Sequence, residues 1–149
     1  MEKVTNIIRI HSNAHLKMSP EGDFFRCWVA FLQAVHGLTE REMDVLAAFL
    51  KKRYELSKAI KDVDTLDHML MSESIKKQVK DECGISMRHL RVILSTLRRK
   101  GVLRDNKFYM NLIPCITKDG VGLMVVFDFK DEQQRIKLGP PSSVQRAVS

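Results

Sequence analysis

Cysteine is scarce in this chain of 149 residues: Cys27, Cys83 and Cys115 stand far apart and in no C-x-x-C arrangement. That spacing excludes a disulfide framework and a cysteine-based zinc site, and points to reduced thiols, two of them small core residues. The seven glycines and four prolines are spread out, so no glycine-rich phosphate loop is present. No apolar run approaches the roughly 20 residues that a membrane-spanning helix needs. The opening MEKVTNIIRIHSN lacks the long apolar centre of a secretory signal. The expectation is an intracellular protein with no membrane partner. Acid is also short: 18 Asp and Glu stand against 25 Lys and Arg, a net charge of +7. That imbalance favours an anionic partner, nucleic acid first among them.

Catalytic and metal-binding constellations are lacking too. His11 and His15 have the i, i+4 spacing of a helical metal site, but HSNAHLKM is polar and unperiodic, and no matched cysteines or carboxylates accompany them. Cys83 falls on the apolar side of a predicted helix, which suits a buried thiol better than a nucleophile. Asp62 and Asp64 read as turn or cap residues rather than a general acid and base. The expectation is no metal, no cofactor and no enzyme.

What is there begins with a hydrophobic content of 44%, enough for one domain with short arms. VTNIIRI (4–10) alternates weakly, as a short strand or extended arm would. Ser19-Pro20-Glu21 supplies a cap, a first-turn proline and an acid. From Phe24 to Val35 the chain is apolar nearly all round, with Trp28, Phe24, Phe25 and Phe31 at helical spacing, so this helix is expected across the centre of the core, ended by Gly37. Thr39 and Glu42 form a capping box for a helix with Met43, Leu46, Ala47 and Leu50 on its buried face. Lys51-Lys52-Arg53 reads as its solvated end. Residues 54–71 are mixed, a long connection with a short helix around 64–70.

Ser72 then caps a helix with Ile75 and Val79 inside, Gly84 ends it, Ile85 buries in the turn, and Ser86 caps the next helix. That next helix carries Leu90, Ile93, Leu94 and Leu97 on one side. From Ser86 to Lys107, Arg88, Arg91, Arg98, Arg99, Lys100, Arg104 and Lys107 oppose only Asp105, which concentrates nearly the whole net charge in one segment. A buried seam under a basic outer face suits a surface that meets phosphates. Val102-Leu103, a turn at 104–107 and a returning strand at 108–112 form a hairpin. VGLMVVFDF (121–129) is the strongest strand pattern, and the chain ends in the unperiodic LGPPSSVQRAVS.

On LTEREMDVLAAFL, ECGISMRHLRVILSTLRRKGVL and the hairpin after them, the chain resembles the winged-helix superfamily over roughly residues 38–130. FFRCWVAFLQAVHGLTEREMDVLA with LRRKGVLRDNKFYMNLIPCI is also similar to small winged-helix proteins of tailed phages of gut bacteria, the crAss-like group among them. The resemblance implies a mainly α fold with a small β-sheet (α+β): a winged helix-turn-helix core over 19–130, with its helix pair at 72–100 and its wing at 102–130. An N-terminal strand or arm (1–18) and a C-terminal tail (131–149) flank it. The long 54–71 connection departs from the compact pattern. The DNA-reading positions of the superfamily map onto Met87, Arg88, Arg91 and Ser95. Arg98 and Arg99 lie nearer the helix end, and Arg104 and Lys107 lie in the wing, where they would meet phosphates.

Two functions are then expected. The first, placed ahead by the phage resemblance, is a non-enzymatic structural component of a virion or similar assembly. Its core and arms would contact protein neighbours, and its basic face (87–100) would meet DNA or acidic partners. The second is a sequence-specific transcription regulator, which the residues alone favour. Either would act in a virion or the host cytoplasm.

Overall fold

A computed structural model describes residues 17–123 of the chain, and its regular elements all lie in the unit His15–Asp119. They are α1 (Phe24–His36), α2 (Glu40–Ser57), α3 (Val63–Leu70), α4 (Glu73–Cys83), α5 (Met87–Arg99), β1 (Leu103–Arg104), β2 (Lys107–Phe108) and a 3-10 turn at Met110–Leu112. Among the described residues the protein is therefore mainly helical with one small antiparallel sheet, in line with the α+β expectation. The expected arm at 4–10, the strand at 121–129 and the tail after 131 lie outside the described residues, except Val121, Gly122 and Leu123, which carry no regular structure.

The central helix is α2. Val45, Leu46, Ala47, Ala48, Phe49 and Leu50 are all buried. Six consecutive residues can leave water only where neighbours flank a helix on every side; α2 is met by α1, α3, α4 and α5. Its start is the expected capping box: Thr39 Oγ1 accepts from Glu42 N–H at 3.3 Å, and Glu42 Oε1 accepts from Thr39 N–H at 3.1 Å.

The centre was expected at α1, and there the structure differs. Phe25, Trp28, Val29 and Leu32 are buried, but Phe31 is 58% and Val35 75% exposed. Helix α1 has α2 as its helical neighbour and lies at the edge, so its far stripe meets no partner among the described residues. Its start differs as well. Ser19 caps a turn instead of a helix, its Oγ accepting from Glu21 N–H at 3.2 Å and its carbonyl from Gly22 N–H at 2.9 Å. Helix α1 then begins only at Phe24, with no side-chain cap.

The long connection at 54–71 is also absent. Helix α2 continues to Ser57, and five residues separate it from α3. Lys51-Lys52-Arg53 thus lies inside the helix rather than at a solvated end. Arg53 Nε meets Asp67 Oδ1 at 3.1 Å, with side chains 16% and 11% exposed. The partner sits on α3, so the charge could enter the core without leaving an apolar mark at its own position. Asp62 caps α3, as expected, accepting from Thr65 N–H at 3.0 Å.

Helices α4 and α5 form the expected short-turn pair. Ser72 Oγ accepts from Ile75 N–H at 3.4 Å and Ser86 Oγ from His89 N–H at 3.0 Å. Between them Gly84 ends α4 at φ +65°, a conformation in which a β-carbon meets the following backbone. Gly84→Ala is therefore expected to cost about 1 kcal/mol. It would appear as a lower denaturant midpoint at unchanged m-value, since open space surrounds the site and no contact would change.

The basic segment ends in a hairpin of two-residue strands, Leu103 opposite Phe108 and Arg104 opposite Lys107. Asp105 and Asn106 both take positive φ, +52° and +60°, which suits a tight turn of the right twist, and these residue types tolerate it. The core side of the hairpin is held by Phe108, whose ring lies 5.5 Å from that of Phe49 on α2. The returning strand stops sooner than expected. After Tyr109 the chain enters the 3-10 turn, which buries Leu112 and offers its carbonyl to Trp28 Nε1 at 2.9 Å. That indole takes the place of a strand partner. The thiols are less buried than expected: Cys27 and Cys83 are half-buried and Cys115 is exposed.

Candidate nucleic-acid interface

The core seam of α5 is the one its spacing predicts, with Leu90, Ile93, Leu94 and Leu97 all buried. At 100° per residue the opposite line runs through Arg88, Val92, Ser95 and Arg99, and each of the four is exposed. Arg91 and Arg98 form a second exposed row beside it, while His89 and Thr96 flank the other side. Five of the eight expected site residues, Arg88, Arg91, Ser95, Arg98 and Arg99, therefore share one surface. Met87 is half-buried at the helix start and stands off that line.

The guanidinium groups differ in how they are held. Arg88 has no hydrogen bond or ion pair among the described residues. Arg91 Nη2 lies 3.7 Å from Glu73 Oε1 of α4, both well exposed. Such a pair is worth well under about 1 kcal/mol and yields readily to a phosphate. Arg98 Nη2 reaches Asn106 Oδ1 of the hairpin turn at 3.5 Å, and Arg99 Nη2 donates to Thr96 Oγ1 at 2.9 Å. Thr96 in turn donates to the carbonyl of Val92 at 3.2 Å. This Thr96 link was not among the expected site residues, although its i+3 spacing to Arg99 is visible in the sequence.

The two hairpin residues are committed elsewhere. Arg104 lies over the Tyr109 ring, 3.9 Å from its centroid, and donates from Nε to the Gly101 carbonyl at 2.9 Å. Burial, and then the charge of Arg104, hold the His36 imidazole below its ordinary pKa. Lys107 Nζ lies 3.4 Å from Asp64 Oδ1 of α3. Neither joins the α5 rows directly, although Asn106 between them touches Arg98.

Lys100 belongs to the basic segment by sequence but points inward. Its Nζ donates to Glu42 Oε1 at 2.6 Å and to the Gly37 carbonyl at 2.7 Å. One of the seven basic charges counted there is thus consumed inside the fold, at the end of α5.

Away from this face, a cleft of about 300 Å³ is lined by Asp23, Arg26, Asp44, Lys51, Glu82 and Cys83, among others. Arg26 Nε and Asp44 Oδ1 pair across it at 2.9 Å. Burial, then Asp44 and Glu82, push the Cys83 thiol up to about 11. It stays protonated at neutral pH and is a poor nucleophile. Among the described residues no group of His, Cys, Asp and Glu could hold a metal ion, and no helix is long and apolar enough to cross a membrane. His11 and His15 fall outside the described residues. No protein-family model matches the chain, and comparisons with curated proteins and with solved structures find no match.

Proposed function

We propose that this chain is a non-enzymatic winged-helix protein that binds duplex DNA by laying α5 in the major groove, with the β1–β2 hairpin beside the neighbouring backbone. The observation that carries the reading is the double row of exposed α5 arginines over a fully buried seam. A helix of that width fits a groove about 12 Å across, and arginine can bind guanine with two parallel hydrogen bonds. Arg88, which has no hydrogen bond or ion pair among the described residues and stands nearest the helix start, is the base reader in this proposal. Arg91, Arg98 and Arg99 are the phosphate contacts, and Lys107 becomes one by leaving Asp64. Gene regulation is the role that such binding serves.

The test is titration of the full chain onto a duplex selected from a random library and onto unselected DNA. Arg88→Ala should weaken the selected site about ten-fold and unselected DNA far less. Arg98→Ala should weaken both alike and make the dependence on salt shallower by about one unit. Equal losses for Arg88→Ala on both duplexes would remove the base-reading role.

A second reading is favoured by a separate observation. Phe31, Val35 and Met110 are large apolar residues left exposed, the kind of surface that suits protein neighbours. Here the protein is a structural component of a virion or similar assembly, and the basic face meets packaged DNA or acidic partners. Its signature is retention in purified particles, lost on Phe31→Glu with Val35→Glu.

A further inference from the structure

The outermost line of α5 is not uniformly basic. Val92 stands in its middle, one turn after Arg88 and two turns before Arg99, and it is 58% exposed. Nothing in local folding favours valine there: it is a poorer helix former than alanine, arginine or lysine, because its branched side chain loses rotamer freedom against the preceding turn. It fills no part of the core either, lying opposite Leu90, Ile93, Leu94 and Leu97. Its surroundings set what it can meet. Within one turn stand Arg88, Arg91 and Ser95, and Arg99 is fixed toward the same surface through Thr96, which is itself bonded to the Val92 carbonyl. An occupant must offer negative charge around the rim and one small apolar group at the centre.

A thymine in the major groove supplies both: phosphates line the groove edges, and the C5-methyl is the apolar group on its floor. RNA supplies neither in reach, because uracil lacks the methyl and the A-form major groove is too deep and narrow for a helix. We infer that Val92 reads the C5-methyl of a thymine, which makes thymine-containing duplex DNA the ligand of this face. The inference rests on the groove-binding reading above and narrows it. Arg88 and Val92 are about 6 Å apart along the helix axis, roughly two base-pair steps. The thymine is therefore placed within about two steps of the base that Arg88 contacts.

The experiment uses the full chain and a duplex enriched from a random library, with each thymine replaced in turn by deoxyuridine, which deletes only the methyl. One replacement is expected to raise Kd about three- to five-fold, as burial of a single methyl implies. The same replacement should be neutral for Val92→Ala, a surface variant that leaves the core seam intact. An enriched duplex on which every deoxyuridine is neutral overturns the inference but leaves groove binding standing. So does a penalty that persists in Val92→Ala. Failure to enrich any duplex, with binding to a protein partner instead, overturns both.

Discussion

Phe49→Ala is expected to destabilise the protein by about 3–5 kcal/mol. Phe49 has no exposed surface and lies in the buried run of α2. Its ring also packs on Phe108, the core-side residue of the hairpin. Truncation would remove apolar area from the centre of the fold and leave a void that α2, held between four helices, cannot collapse to fill. Urea unfolding followed by circular dichroism would read the loss. Because total stability of a domain this size is commonly about 5–15 kcal/mol, the variant should be partly unfolded near body temperature. A change below about 1 kcal/mol would mean that α2 is not the packed centre described.

The second large effect is expected from Lys100→Met, at about 2–4 kcal/mol. Glu42 is 8% exposed, and its carboxylate accepts from Lys100 Nζ and from Thr39 N–H. Methionine would preserve most of the packing volume while leaving that carboxylate largely dry with one partner fewer. The cost stays below that of a fully buried pair because part of Lys100 remains in water. The pH dependence follows from the direction of the Glu42 shift. Burial raises its pKa, but the Lys100 hydrogen bond, the Thr39 N–H and the Lys100 charge outweigh burial and hold it below the ordinary 4.5. A carboxylate depressed on folding contributes stability that is complete above its unfolded pKa and lost as pH falls through the folded one. The difference between wild type and Lys100→Met should therefore be full at about pH 6 and shrink toward about pH 3. A difference that stays constant over that range would show that the ion pair is not its source.

Local signals were legible wherever one short stretch decides the outcome. The Thr39–Glu42 box, the Ser72 and Ser86 caps, the Gly84 stop and the α5 seam each depend on residues a few positions apart, and each formed as their spacing predicts. What was not legible depends on partners distant in the chain. Apolar content alone placed α1 at the centre, but the number of helical neighbours decides burial, and α2 has more. Arg53 looked like the solvated end of a helix because Asp67, which allows it into the core, belongs to another one. Lys100 looked like part of a basic surface because Glu42, 58 residues earlier, is what draws it inward. For the α5 face the periodicity identified which arginines stand outside. It could not tell that Arg104 is stacked on Tyr109, that Lys107 rests on Asp64 or that Arg88 meets no partner among the described residues, since those are facts of tertiary contact.

The sharing of one helix by four others also governs how the molecule comes apart. Removing α1, α3, α4 or α5 would strip a wall from the same six-residue run, so the five helices form one cooperative unit, and amide exchange within them would track global opening. Helix α1 belongs to that unit too: it buries Phe25, Trp28, Val29 and Leu32, pairs Arg26 with Asp44 of α2 and donates from Trp28 to the Leu112 carbonyl. The arginine-bearing helix thus keeps its shape until the whole unit melts, and α1 melts with it.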